Sequence, residues 1–252
     1  MANWQLDPHI RQMTMRAAII GASGGIGGAL LAALAERYDG AELYALARNS
    51  LAVADGTWRT LPLDLHSEAS IAAAALAIGD GGPLDLVLVA TGVLTLADGT
   101  GPEKGLRALD PVAMAEAYSV NAIGPALVAK HFLPLLPRDR RAVFAALSAR
   151  VGSTSDNRLG GWHSYRAAKA ALNMLLRGAA IELGRTNRQA IAVTLHPGTV
   201  DTALSAPFQR GVSPDRLFSP AQSAGYLLDV LDGLTAADSG HCFGWDGQRI
   251  PF

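Results

Sequence analysis

Apolar and polar positions along this chain are grouped in blocks rather than alternating residue by residue. Arg16–Ile20 and Ala190–Leu195 are short, mostly apolar runs that stop at a glycine or a histidine. Continuous apolar runs of that length read as strands buried on both faces. Taken in order, the pattern predicts strands over Arg16–Ile20, Glu42–Ala47, Trp58–Leu63, Leu84–Val89, Arg141–Leu147, Ala190–Leu195 and His241–Phe243. Between them it predicts helices over Ala29–Tyr38, Ser67–Ala77, Ser164–Leu183 and Pro220–Leu231. A further helix starts at Asp110-Pro111, an N-cap followed by a first-turn proline, and runs to about Leu133 with a bend near Gly124-Pro125. Residues 93–110 and 149–163 read as loops, and 199–219, with Pro207, Gly211 and Pro214, as a mobile loop or lid. Strands alternating with helices make βαβ units. The expected fold is therefore α/β: one doubly wound parallel sheet of about seven strands flanked by helices.

No break in composition and no repeat divides the chain, so a single domain is expected over 15–252 behind a flexible leader over 1–14. Met13 or Met15 is a candidate natural start. The leader does not read as a signal peptide, because Asp7, His9 and Arg11 interrupt any apolar core. The longest apolar candidate, Leu84–Leu96, contains Asp85 and Gly92 and is shorter than the ~18 residues a membrane span needs, so no membrane partner is expected. Half the residues are hydrophobic and 17% are charged, which is the composition of a folded globular chain. The net charge of −1, with no basic stripe, argues against nucleic acid as a partner. Cys242 is the only cysteine, so no internal disulfide forms and a reducing, cytoplasmic setting is expected.

In a doubly wound sheet, ligands bind outside the C-terminal ends of the strands. The first such end carries Gly21-Ala22-Ser23-Gly24-Gly25-Ile26-Gly27, between a strand and a helix. Glycines there let the backbone approach a pyrophosphate, and the helix start offers free N–H groups and a positive dipole end. The position in the first βα unit is the context that makes such a motif a dinucleotide site rather than a packing turn. At the end of the second strand, NAD recognition wants a carboxylate for the ribose 2′-hydroxyl. Leu46-Ala47-Arg48 offers a guanidinium instead, which suits a 2′-phosphate. NADP(H) is expected as the preferred cofactor, with NAD(H) possible. Asp64, after the third strand, is placed to accept a bond from the adenine amino group or to cap a turn.

Tyr165 and Lys169 are four residues apart, on one face of a helix. A phenol ordinarily titrates near pH ~10. An ammonium beside it favours the phenolate and lowers that value, so Tyr165 is a candidate for exchanging a proton with a substrate oxygen. His163 and His196 have no Cys or carboxylate partners at ligand spacing, so no metal site is expected.

Gly21-x-x-x-Gly25-x-Gly27, Asp64, Asn121, Ser148, Tyr165-x-x-x-Lys169 and Pro197-Gly198 occur in an order that resembles the short-chain dehydrogenase/reductase family. The resemblance runs from Arg16 to the C-terminus and implies a Rossmann-type fold. Pro102-Glu103-Lys104, Asp156–Trp162 and Asp246–Pro251 make the chain similar to the C-factor, or cell-to-cell signalling, type. The family pattern implies Tyr165 as general acid in carbonyl reduction and base in alcohol oxidation, with Lys169 lowering its pKa and bonding the nicotinamide ribose. It implies Ser148 as donor to the substrate oxygen and Asn121 as holder of a water that links Lys169 to solvent. It further implies cofactor contacts from Ser23, Gly24, Ile26, Leu65, Ala90, Thr91, Gly92, Pro197, Gly198, Thr199, Val200 and Thr202, and a homodimer or homotetramer packed through the helices around 111–133 and 164–183. The partner is then a small carbonyl or alcohol. An alternative is a regulatory nucleotide-binding protein with little turnover, although such a protein has no need of the tyrosine. Two departures stand out. Val89-Ala90-Thr91-Gly92 replaces the family's Asn-Asn-Ala-Gly, so Thr91 or water must tie the central strands. Ser148 and Tyr165 are 17 apart, a few more than is common, which places Asp156, Arg158, Trp162 and His163 at the substrate entrance.

Overall fold

β1 (Arg16–Ile20) is buried at every position and pairs in parallel with a strand on each side, β2 (Glu42–Ala47) and β4 (Leu86–Val89). The computed structural model describes residues 14–49 and 57–252, so the expected leader over 1–14 lies outside it except for Thr14. β3 (Arg59–Pro62), β5 (Val143–Leu147), β6 (Ile191–His196), β9 (Cys242–Gly244) and β10 (Arg249–Ile250) complete a sheet in the order β10-β9-β6-β5-β4-β1-β2-β3. The order reverses between β1 and β4, and this is the switch point where the C-terminal strand ends open a crevice.

The expectation of about seven parallel strands holds for seven of the eight; β10 is the addition, and it is antiparallel to β9. It is two residues long, which is too short for any periodicity to register. A second small sheet pairs β7 (Thr199–Val200) with β8 (Leu217–Phe218). The segment expected as a mobile lid is therefore pinned at both ends.

Both sheet faces are covered, which explains the unbroken apolar strands. α1 (Gly25–Arg37) and α6 (Pro220–Gly233) cover one face, where Leu30, Leu34 and Leu227 meet Ile19 and Val193. α2 (Glu68–Gly79), α4 (Gly124–Phe132) and α5 (His163–Thr186) cover the other, where Ile71, Phe132 and Leu172 meet Ile20 and Phe144. α1 starts at Gly25, four residues before the expected Ala29, because the glycine turn already supplies helical backbone.

The helix expected over 110–133 is divided. α3 (Pro111–Tyr118), capped by the Asp110 carboxylate on Val112 N and Ala113 N, gives way to a π-helical turn over Ser119–Ile123 and then to α4. The distortion falls on Asn121, not on Gly124-Pro125. Pro125 lies in the first turn of α4, where its missing N–H is not needed. Asn121 instead donates to Ala117 O at 3.0 Å, competing with the helix ladder. By length and composition the stretch Pro111–Leu135 would be long and apolar enough for a membrane, yet Val128, Ala129 and Phe132 belong to the core beneath the sheet.

Candidate active site

The glycine turn leads out of β1 at the switch point. Gly21 has φ +86°, and a Cβ there would lie 2.8 Å from Thr91 Cγ2, so only glycine fits. A Cβ on Gly27 would collide with the carbonyl oxygen of Gly21. α1 starts with Gly24 as its N-cap and has no side-chain cap, which leaves the first N–H groups for an anion. A cavity of about 380 Å³ opens beside this turn and is lined by Gly21, Ser23, Gly24, Arg48, Asp64, Leu65, Ala90, Thr91 and Gly92 among others. These are nine of the expected cofactor positions, gathered from four strand ends. Arg48 is exposed at the rim and makes no hydrogen bond or ion pair among the described residues.

Asp64 accepts from the backbone N–H of His66 at 3.0 Å and from its ring at 3.2 Å, both on Oδ1. Those bonds, led by the backbone one, hold its carboxyl below the usual range. The far side of the His66 ring meets Glu116 Oε1 at 2.9 Å, and that bond, with Asp64, raises the imidazole pKa. His66 and Glu116 both line the cavity. Neither stood out in the sequence, because the contact joins residues 50 apart and follows no motif. Ile26, Gly25 and Gly27 lie behind the turn rather than on the cavity wall. Pro197, Gly198, Val200 and Thr202 do not line it either. They approach from the other side, where a Cβ on Gly25 would lie 2.8 Å from Thr202 Cγ2. Val200 is held in β7, and Pro197 O accepts from Ser223 Oγ at 2.9 Å. The residues fit a dinucleotide: a turn stripped of Cβ atoms, open helix N–H groups, a cation and a carboxylate frame one crevice.

The helix α5 carries Tyr165 and Lys169 beneath the ends of β5 and β6. Lys169 is 2% exposed, and its Nζ donates to Leu147 O at 2.9 Å. The same Nζ is 5.8 Å from the Tyr165 ring centroid. A Cβ on Gly92 would lie 3.4 Å from Asn121 Oδ1 and 3.7 Å from Lys169 Nζ, so Asn121, Gly92 and Lys169 converge. Ser148 Oγ is 2.8 Å from Asn173 Oδ1, on the turn of α5 after Lys169. No hydrogen bond joins Ser148 to Tyr165 among the described residues. The site thus brings Asn121 and Tyr165 around Lys169 and turns Ser148 toward Asn173.

Two expectations need correction here. Burial, rather than Lys169, sets the direction of the Tyr165 shift. Burial pushes the phenol up to about 12, and the same burial brings the ammonium down to about 7. Second, Thr91 does not tie the strand ends. Its Oγ1 is buried and has no hydrogen-bond partner among the described residues. Asn121 ties the π turn to the segment that follows β4, its Oδ1 accepting from Val93 N at 3.0 Å and its Nδ2 donating to Val93 O at 2.9 Å. In the loop before α5, Asp156 forms an ion pair with Arg150 at 3.0 Å, and Trp162 packs edge-on beside Tyr165, with ring centroids 6.3 Å apart.

Trp162 is left-handed (φ +50°), and its N–H donates to Glu103 O at 2.5 Å. The Glu103 carboxylate accepts from Ser164 N at 3.1 Å and from Ser164 Oγ, which fixes the first turn of α5 and hence the origin of Tyr165. A second cavity of about 350 Å³ is lined by Glu103, Lys104, Ser164 and Tyr165 with an apolar wall of Val93, Leu94, Leu96 and Ala117. It shares Val93 and Leu96 with the first, so the two adjoin.

The profile described as short chain dehydrogenase matches residues 15–212. C-signal of Myxococcus xanthus is 33% identical over 171 residues, which span 68% of this chain and 94% of that protein. The 1-hydroxy-2-glutathionyl-2-methyl-3-butene dehydrogenase of a Rhodococcus species is 30% identical over 242 residues, 92% of this chain and 97% of that one. The crystal structure of NADPH-bound carbonyl reductase from chicken fatty liver matches with a TM-score of 0.80 at 25% identity, covering 95% of this chain and 94% of that one.

Proposed function

The chain belongs to the short-chain dehydrogenase/reductase family, and on that premise we propose that this oxidoreductase is an NADP(H)-dependent reductase of a small carbonyl compound with Tyr165 as its general acid. The observation that carries the reading is the placement of Tyr165 on the wall of the second cavity, directly beside the cavity framed by the glycine turn.

The nicotinamide, when bound, supplies the hydride. The chain does the rest. The Gly21–Gly27 turn and the open start of α1 would hold the pyrophosphate, Arg48 the 2′-phosphate and Asp64 the adenine amino group. Tyr165 Oη would give its proton to the carbonyl oxygen as the carbonyl carbon is reduced, leaving a phenolate. The raised pKa keeps that proton in place at neutral pH, which is the state reduction needs. Lys169, poised near neutrality, restores the proton, and Asn121 fixes the Val93 main chain between the two cavities. The apolar wall of the second cavity takes the body of the substrate. Exposed Val112, Ile123, Met174 and Ile181 on α3, α5 and the π turn supply apolar surface for an interface between copies of the chain.

The test is NADPH consumption against aldehydes, ketones and quinones, with Tyr165→Phe beside the wild type. Turnover should fall by about 10²- to 10⁴-fold in the variant while NADPH binding is retained. Equal turnover in the two proteins overturns the tyrosine mechanism. NADPH binding with no turnover of any substrate points to the regulatory alternative.

A further inference from the structure

Ser148 and Asn173 are 4% and 3% exposed, and the serine hydroxyl donates to Asn173 Oδ1 across 2.8 Å. A hydroxyl has one proton to give. While that proton is spent on Asn173, Ser148 presents only lone pairs, which repel an oxygen that gathers negative charge. Ser148 cannot then serve as donor to a carbonyl oxygen. A carboxamide, however, is nearly symmetric in shape, and a half-turn about its terminal bond exchanges acceptor for donor. Asn173 Nδ2 makes no hydrogen bond among the described residues, so the half-turn breaks only the Ser148 contact and remakes it with opposite polarity. The backbone on both sides is fixed. Ser148 N donates to Leu195 O at 2.7 Å, and Lys169, one turn earlier on α5, is tied to Leu147 O.

We propose that Asn173 is a positioning residue that acts through Ser148: in the productive state its Nδ2 donates to Ser148 Oγ and turns the hydroxyl proton toward the substrate oxygen. The inference rests on the reading of Ser148 as donor to the substrate. Two buried side chains share one proton arrangement with two settings, and the carbonyl substrate selects the setting in which Ser148 is the donor. Asn173 never touches the substrate, so its whole effect passes through the serine.

A double-mutant cycle on NADPH-dependent turnover tests this. Ser148→Ala should lower kcat by about 10²-fold or more. Asn173→Leu, of similar volume, should lower it about tenfold with KM little changed, the loss of one neutral hydrogen bond. The double variant should be no slower than Ser148→Ala alone, because Asn173 has nothing left to act through. Losses that multiply in the double variant, or full activity in Asn173→Leu, overturn the proposal. Full activity in Ser148→Ala overturns instead the reading of Ser148 on which it rests. Asn173→Asp gives an independent arm should the leucine variant fail to fold. An ionised carboxylate only accepts, so it holds the serine proton away and turnover should match Ser148→Ala at pH 8. Lowering the pH returns a donor, and activity should recover relative to wild type, a ratio in which the titrations of Tyr165 and Lys169 cancel. A ratio that stays flat with pH counts against the proposal.

Discussion

Replacing Lys169 with methionine should make the protein more stable near neutral pH while abolishing turnover. Lys169 is buried with its Nζ on Leu147 O, and burial takes its pKa from 10.5 down to about 7. Between those values the unfolded chain holds a proton that the folded chain lacks, so stability rises with pH across that window. At roughly 1.4 kcal/mol for each pH unit, the fall from 10.5 to about 7 is a penalty of about 5 kcal/mol. It is felt in full below pH ~7 and is nearly gone by pH ~10.5. Methionine has a comparable stem and no charge to bury. It loses the bond to Leu147 O, and a buried carbonyl left unsatisfied costs about 1–3 kcal/mol. The balance at pH 7 is a gain of about 2 kcal/mol, or roughly 4–8 °C in melting midpoint for a chain of this size. Thermal and urea unfolding of both proteins at pH 7, 8.5 and 10 would show the methionine variant ahead at pH 7 and behind at pH 10. A difference that does not change with pH, or a variant already less stable at pH 7, refutes the argument from burial.

Gly27→Ala should abolish cofactor binding, because its Cβ meets the Gly21 carbonyl and overpacking of this kind costs about 1–3 kcal/mol or more; nucleotide fluorescence titration and a thermal melt read both consequences. Arg48→Ala should weaken NADPH binding roughly ten- to hundredfold, the range of one charged hydrogen bond, and leave NADH affinity unchanged in a parallel titration. The raised His66 pKa means that its bridge to Glu116 and Asp64 contributes in full below its unfolded value of 6.5 and is lost as pH rises through the higher folded value. The stability difference between wild type and His66→Gln should therefore be largest in acid, shrink toward alkaline pH, and stay under about 1 kcal/mol for so exposed a pair. Glu103→Ala leaves Ser164 N and Oγ without their acceptor, so unfolding should show a loss of about 1–3 kcal/mol.

Much of the site is legible in the sequence. The strand ends that bear Gly21, Arg48, Asp64, Thr91 and Ser148 follow from apolar runs that terminate, and a parallel sheet forces such ends to one edge. What could not be read were contacts between residues remote in sequence. Glu103 holds Ser164, 61 residues away, and His66 holds Glu116, 50 away, with no pattern to announce either. The π turn at Asn121 escaped because Gly124-Pro125 is the stronger local breaker signal, and only the side-chain bond to Ala117 O moves the distortion upstream.

The sequence by itself determined the order of elements, the glycine turn and the Tyr165–Lys169 spacing, since periodicity and the absence of Cβ atoms are local properties of the chain. Tertiary structure decided the ionisation of that pair and the partner of Ser148. Burial is a property of everything packed around a group. It pushes the Tyr165 phenol up and the Lys169 ammonium down, and α5 brings Asn173 to the serine from 25 residues away.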